Sequence, residues 1–198
     1  PSVAAADEVS FVTAMRLSRK KRAASLLRAF AGAVQFAAGT PAMRLVMAGD
    51  GPDRGALARH AAELRIGHLV ELPGQLSRDD LRVLYARSHA FVLPSERESF
   101  GIAALEARAA GLPVIAMLAG GARDFIRQGV DGLLARSERE LSRCIARLAI
   151  DAPFRAYVSR HNRASPPPYD WSAVAAIHQR YYGAAAALGS GRARASDQ

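Results

Sequence analysis

Short apolar, β-favouring runs recur along the chain at residues 9–13, 44–48, 69–72, 89–93, 113–116 and 132–134. Between them, apolar residues repeat at spacings of three and four, which places each set on one helix face. Leu26, Leu27, Phe30 and Val34 form the first set, Leu57, Ala61 and Leu64 the second, and Leu81, Leu84 and Tyr85 the third. Strand and helix therefore alternate, and alternation predicts parallel strands joined by right-handed crossovers, with helices on both faces of the sheet. After Leu134 the strands stop. Residues 138–150 and 154–160 read as helices around Pro153, taken as a breaker, and Ser165-Pro166-Pro167-Pro168 reads as a stiff linker. A last amphipathic segment, 171–188, carries Trp171, Val174, His178, Tyr181 and Tyr182, and the small, polar, basic tail 189–198 is expected to be disordered. The expected organisation is one α/β domain over 1–165, a linker and helix over 166–188, and the tail.

The chain's 198 residues suit one sizeable core, and its composition, half apolar and 23% charged, is that of a globular protein. No apolar run reaches the roughly 18 residues of a membrane span. Pro1 to Asp7 show neither an initiator Met nor a signal-peptide pattern, so the chain is expected to be cut from a longer one. Cys144, the single cysteine, falls in the stripe Leu141, Cys144, Ile145, Leu148 and is read as a core thiol, in keeping with a cytoplasmic protein. The net charge of +9 attracts polyanions in general. It resides mainly in arginines scattered through the helices, read as solvated helix faces, and the one compact cluster is Arg19-Lys20-Lys21-Arg22. No basic and aromatic interleaving points to nucleic acid; peripheral contact with an anionic membrane stays open.

In a doubly wound sheet the ligand lies beyond the carboxyl ends of the strands, so the loops there hold the candidate chemistry. Ala14-Met15-Arg16-Leu17 ends the first strand, and Lys21 follows five residues after Arg16. Two cations so placed can clamp a diphosphate, the guanidinium in a bidentate fashion and the ammonium as a point charge; a solvated helix start reads the same way. Gly49-Asp50-Gly51-Pro52 after the second strand allows close backbone approach, or is an ordinary turn. In Pro73-Gly74-Gln75-Leu76, after the third, main-chain groups could meet a base edge. The fourth strand runs into Pro94-Ser95-Glu96-Arg97-Glu98-Ser99-Phe100-Gly101-Ile102. It delivers Glu98 to a loop, Gly101 lets the chain turn, and the helix that starts there offers free N–H groups to an anion. Glu106 lies more than a turn into that helix, where it either meets ribose hydroxyls or faces water or pairs with Arg108 or Arg123. Two carboxylates with an anion site between them suit a nucleotide sugar. No His/Cys cluster or D-x-D pair suggests a metal.

From Phe91 to Gly132 the order P-S-x-x-E-x-F-G, E-A, G-x-P-V-I-A, G-G and D-G-L-L resembles the signature of family 4 retaining glycosyltransferases of the GT-B fold, and the resemblance extends over residues 9–182. It implies a Rossmann-like doubly wound parallel sheet of six strands with C-terminal helices, the C-terminal, donor-binding half of that fold. By resemblance Arg16 and Lys21 hold the diphosphate of a UDP-, GDP- or ADP-hexose, Glu98 faces the sugar, and Glu106 holds the ribose. The backbone of Ser99, Phe100, Gly101 and Ile102 would contact phosphate or sugar, the Gly74, Gln75, Leu76 loop the base, and Gly49 and Gly51 would flank the ligand. Met15 and Arg22 stand where the family usually has glycine, before the arginine and after the lysine, so the local backbone is expected to differ. The resemblance also implies a separate N-terminal acceptor domain as partner, towards which the 171–188 helix would cross. A nucleotide-sugar epimerase of the same fold and a basic nucleic-acid or membrane-surface module are the alternatives.

Overall fold

Among the described residues, 8–38 and 41–167 of a computed structural model, six strands alternate with helices. They are β1 Glu8–Ala14, β2 Ala42–Ala48, β3 Val70–Gly74, β4 Ala90–Leu93, β5 Val114–Met117 and β6 Gly132–Ala135. The helices are α1 Ala23–Phe36, α2 Arg54–Glu63, α3 Arg78–Arg87, α4 Ile102–Ala109, α5 Glu138–Ile150 and α6 Ala152–Ala164. The amphipathic segment 171–188 and the tail 189–198 lie outside the described residues, as does Pro168 of the linker.

All pairings are parallel, in the order β3-β2-β1-β4-β5-β6. Every residue of β4 and β5 is buried, which is why those strands read as unbroken apolar runs: both sheet faces are covered. Alternate side chains enter opposite cores. Phe11, Leu45, Met47 and Ile115 pack with Leu26 and Phe30 of α1, Leu57 of α2 and Ile145 of α5. Val12, Val46, Phe91 and Val114 pack on the other face with Tyr85 of α3 and Ala104 and Ala107 of α4. Edge-on ring contacts anchor each core, Phe11 on Phe30 at 6.3 Å and Tyr85 on Phe91 at 5.9 Å.

Helices α1 and α5 lie side by side. Gly32 makes this fit possible, since a Cβ there would stand 2.6 Å from Ser142 Oγ. Arg28 forks onto Glu138 with two 2.8 Å bonds, but the side chains are 45% and 32% exposed, so the pair contributes little beyond orientation. Cys144 is buried as the stripe predicts, and burial pushes its thiol up to about 11. Pro153 does not break a helix: it sits in the first turn of α6, where an amide has no intrahelical acceptor and Pro costs nothing. Asp151 caps that turn by accepting from Phe154 N at 3.0 Å.

The far end of the sheet is tied by one fully buried carboxylate. Asp131, just before β6, accepts from Arg108 of α4 at 2.8 Å and from the backbone and side chain of Arg127 at 2.7 to 3.0 Å. His161 of α6 stands 3.2 Å away, and Asn162 donates to the Asp131 carbonyl at 2.9 Å. Burial pushes the Asp131 carboxyl upward, but the hydrogen bonds from Arg127 and the charges of Arg108 and Arg127 outweigh it and hold it below its usual value. Arg108 is thus committed here and to the Phe125 carbonyl, not to Glu106.

Asp131→Asn should destabilise the chain by about 3 kcal/mol, because removing one partner of a buried pair strands the other. Since the folded carboxyl is depressed, its contribution is complete above the unfolded value of about 4 and is lost as pH falls through the folded one. Urea melts at pH 7 and at pH 3 should show the variant's deficit shrinking in acid; a deficit of equal size at both pH values would contradict the ionised network.

Candidate donor site at the switch point

The connection from β1 leads to β2 on one side, and β4 returns to the other side of β1. This reversal opens a crevice at the carboxyl ends of β1 and β4, where the loops turn away from each other. Two backbone contacts shape it. The loop after β2 lies against the loop after β1, with Met15 N donating to Ala48 O at 3.0 Å and Leu17 N to Asp50 O at 2.9 Å. A Cβ on Gly49 would lie 2.0 Å from Met15 O, and one on Gly51 2.3 Å from Leu17 O. Only glycine fits at either place, and between them Arg16 is presented outward. The loop after β5 presses on the loop after β4 in the same way: Gly121 N donates to Glu98 O at 2.8 Å, and a Cβ on Gly121 would lie 2.1 Å from Ser99 O.

Three helix starts on this side of the sheet lack side-chain caps. α1 begins at Arg22, α2 at Asp53 and α4 at Gly101, none of which accepts a backbone amide through its side chain. Gly101 is left-handed, with φ 86°, and the first amides of α4 to bond back to it are those of Ala104 and Leu105. The Ile102 and Ala103 amides are left for a ligand or water. Ser77, Ser137 and Asp151 cap α3, α5 and α6, the first of these beside the cavity residues Gln75 and Leu76.

A cavity of about 690 Å³ occupies the crevice. Of the residues singled out in the sequence, Arg16, Gly49, Gly51, Gln75, Leu76, Ile102 and Glu106 line it. Glu106 is exposed and makes no hydrogen bond or ion pair with a described side chain; Tyr85, whose buried hydroxyl is raised first by burial, also feels its charge. The others are placed differently. Lys21 ends a 3-10 turn at Arg19–Lys21 and donates to Glu98 at 2.6 Å, a pair beside the cavity rather than in its wall. Gly74 lies under the floor, its carbonyl accepting from Gly49 N at 2.8 Å. Ser99 receives Gly121, and the Phe100 ring packs on Phe125 at 5.4 Å.

Sequence reasoning missed Asp50, Leu81 and Ala103, which also line the cavity. Asp50 sat within the turn read as glycine-driven, and its carboxylate, exposed at the rim, accepts from Gly51 N at 2.8 Å. The two departures from the family's glycines differ in consequence. Met15 has an ordinary negative φ and needs no glycine. Arg22 is left-handed, with φ 59°, and its guanidinium pairs with Glu96. No group of three His, Cys, Asp or Glu side chains able to share a metal ion occurs among the described residues, and no helix among them is long and apolar enough to cross a membrane.

The parallel 3-2-1-4-5-6 sheet and the cavity at its switch point define a Rossmann-like α/β domain like the C-terminal half of GT-B glycosyltransferases. Residues 2–165 match the glycosyl transferases group 1 family, and the chain belongs to it. The sulfoquinovosyl transferase SQD2 of Arabidopsis thaliana is 34% identical over 152 residues, which are 73% of this chain and 29% of that protein. The chain thus spans less than a third of this curated relative. Among solved structures, Anabaena HepE in complex with UDP-glucose superposes with a TM-score of 0.69 at 25% identity, over 80% of this chain and 44% of HepE. The C-terminal domain of the group 1 protein LpcC from Francisella tularensis gives a TM-score of 0.70 at 20% identity, over 79% of this chain and 83% of that domain.

Gly121→Ala tests the packing of the two loops without any ligand. The clash with Ser99 O should cost about 1 to 3 kcal/mol of stability, the usual range for a backbone-level misfit. It should also raise amide exchange over residues 98–101, and protection there equal to that of the native chain would show that the contact does not hold the loop.

Proposed function

We propose that the chain is the donor-binding half of a family 4 retaining glycosyltransferase, moving a hexosyl group from a UDP-, GDP- or ADP-sugar to an acceptor. The observation that carries this reading is the cavity wall in which Arg16 and Glu106 face one ligand-sized space across the uncapped start of α4. A nucleotide sugar fits those chemistries in order. The base lies along Gln75 and Leu76, the ribose hydroxyls donate to Glu106, and the diphosphate meets Arg16, Lys21 and the Ile102 and Ala103 amides. The hexose then reaches the side of the crevice where Glu98 stands.

Transfer breaks the bond between the anomeric carbon and the diphosphate oxygen as the acceptor hydroxyl forms the new one and passes its proton to that departing oxygen. Preorganised cations and helix amides stabilise the negative charge that gathers on the departing diphosphate. The acceptor is held by a second domain across the cleft, whose closure orients the reacting atoms and excludes water. Donor binding therefore belongs to this chain, and turnover to the closed pair of domains.

Calorimetry on chelator-treated chain, with UDP, GDP, ADP and their glucose forms, should show binding without divalent metal; binding of every ligand only with added magnesium would contradict the clamp. Glu106→Gln should weaken the bound nucleotide by about 1 to 3 kcal/mol, the range for a hydrogen bond to a charged group. An unchanged affinity would remove Glu106 from the ribose site.

A further inference from the structure

Lys21 and Glu98 form an internal ion pair. Lys21 Nζ donates to Glu98 Oε2 at 2.6 Å, and the two side chains are only 33% and 17% exposed. Glu98 is held in place from behind. Its Cγ lies 3.5 Å from where Gly101 would carry a Cβ, its Cβ lies 3.7 Å from the same point on Gly120, and its carbonyl is bound by Gly121. The carboxylate thus occupies the ammonium as a diphosphate oxygen would. Arg16 has no such internal partner among the described residues and lines the open cavity.

We propose that Lys21 exchanges partners when the donor binds, from Glu98 to the diphosphate, and that this exchange makes the site favour the nucleotide sugar over the nucleoside diphosphate it becomes. The inference rests on the donor-binding reading above. With a nucleotide sugar, hexose hydroxyls donate to Glu98 as Lys21 turns to the diphosphate, so the carboxylate replaces one donor with others. With the bare diphosphate no hydroxyl arrives. Glu98 then either keeps Lys21, leaving the ligand with Arg16 and the helix amides, or loses its partner beside a polyanion. Both outcomes cost affinity, since a part-buried carboxylate deprived of its hydrogen bonds is unfavourable and like charges repel. After transfer, the Lys21–Glu98 pair re-forms and helps the product leave.

The test is a double-mutant cycle: native chain, Glu98→Gln, Lys21→Gln and the double variant, each titrated with UDP, GDP, ADP and their glucose forms and each melted without ligand. In Glu98→Gln the bare diphosphate should bind about three- to fivefold tighter, the scale of a part-exposed ion pair, while the glucose form gains nothing or weakens. In the Lys21→Gln background that gain should vanish. A gain that persists there is simple relief of repulsion and overturns the exchange, as does a diphosphate affinity that is unchanged or reduced in Glu98→Gln. If Glu98→Gln melts well below the native chain, Glu98→Asp, which withdraws the carboxylate by one methylene, takes its place, with a smaller gain of the same sign expected and no gain counting against the exchange. Failure of all nucleotides to bind any of the proteins, with native melting preserved, overturns the donor-binding reading itself and the exchange with it.

Discussion

The carbonyls of Met15 and Leu17 are met by the loop after β2 at separations that admit no side chain, because Gly49 and Gly51 stand opposite them. Two hydrogen bonds between the same loops continue the parallel ladder beyond the ends of β1 and β2. The geometry of the crevice depends on this contact. It fixes the backbone on either side of Arg16, so the guanidinium projects from a rigid support rather than from a free loop. It also places the turn into α2 beside the cavity. The second contact, Gly121 on Ser99, does the same for Glu98 from the other side of the switch point. Between the two supports the sheet can open only where its strand order reverses, and that is where the cavity lies.

Electrostatics then follow from how the helix ends are treated. A Ser or Asp cap occupies the orphan amides of a first turn and is worth about 1 kcal/mol. Helices α3, α5 and α6 have such caps and α1, α2 and α4 do not; α4 starts in the cavity wall itself. Ile102 and Ala103, the first residues of α4, line the same cavity as Arg16, so an uncapped, positive helix end and a guanidinium share one space. Most of the described arginines stand exposed, in line with the solvated faces read in the sequence, and a minority are tied into the structure. Arg108 and Arg127 serve Asp131, Arg28 and Arg44 pair with glutamates, and Arg155 donates to the Leu148 and Ala149 carbonyls at the end of α5. These few are structural, and the rest of the positive charge is spread over exposed positions on several helices.

The strands were legible because both faces of the sheet are buried, so runs such as Ala90–Leu93 and Val114–Met117 are wholly apolar. The helices were legible from their periodicity, and α5 falls on the residues its stripe predicts. Pro153 was misjudged because the same residue ends a helix in its interior and begins one in its first turn, and sequence alone does not say which. The candidate site was legible as a set of loop residues, since parallel topology dictates where the ligand-facing loops must be. Pairings within it were not. Lys21 and Glu98 are 77 residues apart, and Arg108 reaches Asp131 over 23. No local pattern encodes such partners; they follow only once the strand order is known.

Arg22 shows how a departure from a family pattern can be absorbed locally. Its left-handed backbone, φ 59°, is the conformation for which glycine is suited, and a side chain there costs roughly 1 to 2 kcal/mol. The arginine recovers part of this through Glu96, but the pair is 27% and 39% exposed and so is worth at most about 1 kcal/mol. The balance is slightly unfavourable for stability. What the arginine adds is a second tie between the start of α1 and the loop after β4, parallel to Lys21 and Glu98 and two residues from it on the loop. The Arg22–Glu96 tie holds the loop independently of Lys21. A loop restrained in this way loses less freedom when it meets a ligand, and that saving is where a small cost in folding stability can return as affinity.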